Sequence, residues 1–134
     1  MKFLAVLFMF FIVDKLKKGD TTDRSKIICI NEITTGTDEV DDDILSLTIV
    51  DGNNNILFNT FVSPLKVNEW DESKTNGISK DDVKDIPSII FFQNDIEKIL
   101  DNANVYIGKH IHKSLKFLHN AGISIPNKKT KNIF

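Results

Sequence analysis

Cysteine is almost missing from this chain. The single Cys29 can form no internal disulfide, which excludes a disulfide-stapled secreted domain. It lies in the apolar run Ile27 to Ile30 and is expected to be a buried, inert thiol. Tryptophan and tyrosine occur once each beside ten phenylalanines, so the aromatic residues bring apolar bulk with few polar handles. The longest apolar run, Phe3 to Val13, has eleven residues. As a helix it would span roughly 16 Å, about half of a bilayer core, which is too short for an ordinary transmembrane helix. Internal repeats and low-complexity tracts are absent. Residues 102–134 hold six Lys and no acid.

What is present fits one domain with a modest core: 134 residues, 41% hydrophobic and 27% charged. The net charge of −2 conceals an asymmetry. Residues 1–26 carry six Lys/Arg and three Asp, while residues 27–101 carry five Lys and sixteen Asp/Glu. The plainer reading is a set of solvated faces; the sharper one is a basic end that touches phosphates. Phe3–Val13 has the length of a signal-peptide core, but no small-x-small cleavage site follows and Lys15, Lys17 and Lys18 make the flank basic. Three readings stay open: a membrane-surface anchor, a signal segment with a poor site, or a helix packed on the domain. The expected location is cytoplasmic, with loose membrane association through Phe3–Val13. Residues 1–25 are taken as that segment plus a polar linker, and 26–134 as the domain.

Lys26 to Ile33 is apolar and β-branched, as a buried strand would be. Asp43 to Val50 alternates, which places Leu45, Leu47 and Ile49 on one face of a second strand. Asp51-Gly52-Asn53-Asn54-Asn55 is a turn signal. Ile56 to Val62 is the return strand, closed by Pro64. The character then changes. Ser79 is placed as an N-cap with Asp81 and Asp82 in the first turn. Pro87 is placed in the first turn of a second helix, whose Ile89, Phe92, Ile96, Ile99 and Leu100 recur at helical spacing. Asn104 to Gly108 reads as a short buried strand, and Ile111 to Ala121 as a helix stopped by Gly122. The predicted order is βββααβα: an α/β fold whose three-strand antiparallel meander is followed by helices and a further strand in a mixed sheet.

Several segments carry a pattern in order. Ile30-Asn31-Glu32-Ile33-Thr34-Thr35-Gly36 is similar to D-x-E-T-T-G at the end of a first strand. Phe58 to Pro64 is similar to F-x-T-x-V-x-P. Asn76-Gly77-Ile78-Ser79 with Val83 is similar to H-G-I-T/S-x-x-x-V, and Val105 to Leu118 to an apolar strand followed by H-N-x-x-F-D-x-x-F-L. Over about residues 27–126 the chain thus resembles the DnaQ-like (DEDD-type) 3′–5′ exonuclease domain. The resemblance implies a ribonuclease-H-like sheet, here lacking the C-terminal part of the family fold.

In that family four carboxylates hold two divalent metals, which activate a water for phosphodiester hydrolysis. The aligned positions hold Asn31, Ile33 and Ser114, and the family's final His and Asp lie past the end of the match. No catalytic carboxylate is intact, and no cofactor is expected. Mg²⁺ or Mn²⁺ would be needed only if the domain still cuts. Glu32 is the one rescue: alternation points it away from Asn31 and Ile33, and a bulge at Ile33 would return it to the glutamate position. The run Asp38, Glu39, Asp41, Asp42, Asp43 reads as a solvated loop, and His110, His112 and His119 lack the spacing of a zinc site. Lys109, Lys113 and Lys116, with His110 among them, put cations where the family has an anion, so a metal-free cleft would hold phosphate directly, with Thr34, Thr35 and Gly36 beside it.

The expected function is a non-catalytic domain that binds single-stranded nucleic acid, or a protein partner covering the truncated side. The alternatives are an active metal-dependent 3′–5′ exonuclease and a non-functional gene remnant.

Overall fold

The computed structural model describes residues 23–133. The membrane-anchor expectation for Phe3–Val13 therefore lies outside the described residues. Among those described, no helix is long and apolar enough to cross a membrane.

At the start of the described residues Asp23 is an N-cap: its carboxylate accepts from Ser25 N and starts a single 3₁₀ turn at Arg24–Lys26. Three strands follow, β1 (Ile27–Thr34), β2 (Ile44–Asp51) and β3 (Ile56–Phe61). The Asp51 carboxylate takes the N–H groups of Asn53 and Asn55, which fixes the turn between β2 and β3. Next come α1 (Lys80–Val83), a 3₁₀ turn (Ile89–Phe92) and α2 (Gln93–Asn102). The chain ends with β4 (Val105–Gly108), α3 (Ile111–Asn120) and β5 (Lys129–Asn132). The sheet order is β3-β2-β1-β4-β5. β1, β2 and β3 form the antiparallel meander, and β4 and β5 extend it in parallel.

The mixed α/β sheet expected from the sequence is present, with three corrections. First, β5 is a fifth strand that the sequence did not reveal: Lys-Thr-Lys-Asn has no alternating apolar pattern. It is an edge strand held by its pairing with β4. Second, Leu45, Leu47 and Ile49 do not share one face. Thr34 pairs with Ile44 but Ile33 pairs with Ser46, so Leu45 is an extra residue. Leu47 and Ile49 join the main core, whereas Leu45 packs with Ile78 and Val83 on the other side. Third, Pro87 lies before the second helical segment, not in its first turn. Its carbonyl accepts from Ser63 N, and Ser88 is the cap of the 3₁₀ turn that leads into α2. The capping expectation at Ser79 holds, and Asp82 completes a reciprocal box, but α1 is a single turn.

One face of the sheet meets α2, α3 and the 3₁₀ turn. Ile28, Ile30, Leu47, Ile49 and Tyr106 pack there against Ile89, Ile96, Leu100, Ile111 and Phe117. Each such buried side chain contributes about 1.5–3 kcal/mol relative to exposure. The Tyr106 hydroxyl donates toward Pro126 O at 2.9 Å and Leu100 O at 3.2 Å, tying the segment after α3 to the end of α2. Gly122, at φ +99°, ends α3 as predicted. Cys29 is buried on the opposite face, as expected, and burial pushes its thiol up to about 12.

Candidate functional site at Glu32 and Ser114

Alternation along β1 decides which residues meet α3. Ile28 and Ile30 belong to the helix-side core, whereas Cys29 and Ile33 pack on the second face. Glu32 therefore points toward α3, and Asn31 points away. No bulge at Ile33 is involved: Glu32 stays in register opposite Leu47, and the extra residue is Leu45 on β2. Glu32 reaches the helix by simple alternation.

There it meets Ser114, which is buried in α3. Ser114 Oγ donates to Glu32 Oε1 at 2.8 Å and also lies 3.2 Å from the carbonyl oxygen of His110. A hydroxyl has one hydrogen, so it serves both acceptors only in part. A protonated Glu32 would donate to Ser114 Oγ and free the hydroxyl hydrogen for His110 O. Burial raises the Glu32 carboxyl from 4.5 to about 7, against the opposing pull of the Ser114 hydrogen bond, the Glu32 backbone N–H and the Lys113 charge.

The other sequence-predicted residues surround this pair but are engaged locally. Thr34 Oγ1 donates to Gly36 O at 2.6 Å. Thr35 Oγ1 donates to Asp42 Oδ1 at 2.9 Å and accepts from Asp43 N at 3.0 Å. A Cβ on Gly36 would meet the Asp42 carboxylate, which would have to move aside. Thr34, Thr35 and Gly36 thus form the root of the acidic loop. That loop is clasped to α3: Asn120 Nδ2 donates to Glu39 O at 2.8 Å, and Lys116 Nζ is 3.9 Å from Glu39 Oε1. Lys113 also exerts an attractive field on Asp38. Two of the expected phosphate-holding cations therefore face acids of their own chain, while Lys109 and His110 are exposed at the start of α3. A cleft of about 130 Å³ beyond the loop is lined by Glu39, Asp42 and Asp43 against Lys66, a balance that disfavours phosphate.

The pair of divalent metals implied by the family resemblance does not fit these donors. Mg²⁺ takes several hard, charged oxygens in octahedral array. Among the described residues, Glu32 is the carboxylate that faces Ser114, and its desolvation, against the pull of the Ser114 hydrogen bond, favours the protonated form, which is a poor metal ligand. No three His, Cys, Asp or Glu among the described residues come together to hold an ion.

No protein-family model matches the chain, and no curated protein matches it.

Sequence reasoning missed two features of the site. The Glu32–Ser114 pair spans 82 positions, so no local pattern announces it. Asn132, from the unforeseen β5, accepts from Ile111 N at 3.0 Å and caps α3, whose N-cap residue His110 supplies no side-chain bond.

Proposed function

We propose that this chain is a ribonuclease-H-like, DnaQ-type domain that has lost 3′–5′ cleavage and acts by binding single-stranded nucleic acid. The sheet order supports the fold part of the reading: an antiparallel meander extended by parallel strands, with a helix carrying Ser114 across β1. The observation that carries the functional part is the Glu32–Ser114 hydrogen bond. Where the family would place an aspartate that shares a metal with the β1 carboxylates, this chain places a hydroxyl that stabilises a single acid. Two-metal hydrolysis needs charge at that point, and a serine supplies none. Binding would rest on Lys109, exposed beside the site, and on Lys113 and Lys116, whose acidic neighbours weaken their pull on phosphate.

The test pairs a degradation assay with a binding titration on a labelled single strand. The expected result is no digestion with Mg²⁺ or Mn²⁺, and salt-sensitive binding weakened by Lys109→Ala, Lys113→Ala and Lys116→Ala together. Digestion abolished by Glu32→Gln would replace this reading with the active exonuclease. Strong binding that survives loss of all three lysines would move the interface elsewhere. A chain with no cooperative melt would favour the gene remnant.

A further inference from the structure

The second face of the sheet carries an apolar row whose described cluster includes no helix residue. The register sets Ile56, Val50, Cys29 and Ile107 opposite one another across β3, β2, β1 and β4, so all four share that face. Cys29, Val50 and Ile107 are only 2%, 0% and 2% exposed, whereas Ile56 at the β3 end of the row is 51% exposed. Every described member of this cluster belongs to the sheet itself or to Ile133 just after β5. Helices α2 and α3 pack on the other face, and Trp70 and Val83 cover only the far end, at Leu45 and Ile33. Side chains stand roughly perpendicular to a sheet, so neighbouring strands alone do not bury an outward row.

The chain enters beside this row. Gly52 N donates to Arg24 O at 2.8 Å, and Arg24 Nε donates to Gly52 O at 2.8 Å, which pins the entry at the turn between Val50 and Ile56. Ahead of it lie residues 1–22, with one apolar run, Phe3–Val13. The linker 14–22 reaches up to about 30 Å when extended. Four strands about 4.8 Å apart span roughly 15 Å, close to the roughly 16 Å length of an eleven-residue helix. Lys129 and Lys131 pair with Val105 and Ile107, so their stems border the row and their charges lie at its rim.

We propose that Phe3–Val13 occupies this face within its own molecule and closes the core from the second side, in place of seating in a membrane. Cys29 lies in the middle of the row, so its thiol reports the cover directly. The full chain is treated with a maleimide under native conditions, beside a Leu7→Lys, Phe10→Lys variant. Cys29 is expected to react about 100-fold faster in the variant, since local opening no longer has to displace the segment. Equal rates in the two folded proteins overturn the proposal. Because the charged variant can fail to fold, a second arm places a nitroxide on Lys2→Cys in a Cys29→Ala chain. Amide resonances broadened at Val50, Ile56 and Ile107 support the proposal; an absence of local broadening overturns it. Phosphatidylcholine–phosphatidylglycerol vesicles complete the test. A chain left in solution with Cys29 protected supports intramolecular cover, whereas sedimentation with vesicles and a reactive Cys29 assigns the segment to the membrane.

Discussion

Replacing Glu32 by Gln should make this protein more stable at neutral and alkaline pH, the reverse of what deleting a hydrogen-bonded side chain usually does. The carboxyl is raised from 4.5 to about 7 in the folded protein, with burial as the leading cause. Below about pH 4.5 both folded and unfolded chains hold the proton, and the group carries no penalty. Between about 4.5 and 7 the folded chain keeps a proton that the unfolded chain releases, so stability falls as pH rises. Above about 7 the whole cost is present: about 2.5 pH units at about 1.4 kcal/mol each, or about 3 kcal/mol. Glutamine keeps the shape and an acceptor for Ser114 Oγ but has no charge to bury. Thermal melts of the parent and Glu32→Gln, compared from pH 4.5 to 9, cancel every other titration. The Tm difference should swing toward the variant by on the order of 10 °C across that range. A flat difference would refute the reasoning, because it would mean that water reaches the carboxyl. A swing toward the parent would mean that the Lys113 charge outweighs burial.

Ser114→Asp would set a second carboxyl against Glu32, and two such groups cannot both ionise at that distance without cost. The variant should melt several degrees lower at pH 8, and millimolar Mn²⁺ should restore part of the loss while leaving the parent unchanged; identical metal responses would count against the site geometry. Asn132→Ala removes the acceptor for Ile111 N and should cost about 1 kcal/mol in a denaturant titration, with faster amide exchange in the first turn of α3. Tyr106→Phe removes the bonds to Pro126 O and Leu100 O and should cost about 1–2 kcal/mol. An unchanged midpoint would show that water replaces the hydroxyl.

The sequence by itself determined the elements whose information is local. The β-branched run at Ile27–Ile30, the Asp-Gly-Asn turn, the Ser79 cap and the Gly122 stop each act through neighbouring residues, and each is where the sequence placed it. Composition also sufficed for Cys29, since an apolar run with one thiol leaves no partner for it. Tertiary structure decided what depends on register and on distant pairing. Leu45 changes face because β2 carries an extra residue against β1, and a period of two reverses at any such insertion. β5 exists because β4 offers it an edge, with no apolar signal in Lys129–Asn132. Alternation along β1 turns Glu32 away from Asn31 and Ile33, but no local signal names its partner. Ser114 arrives from a helix packed across the sheet, and only that packing turns an isolated acid into a partly buried, hydrogen-bonded one whose desolvation raises its pKa to about 7.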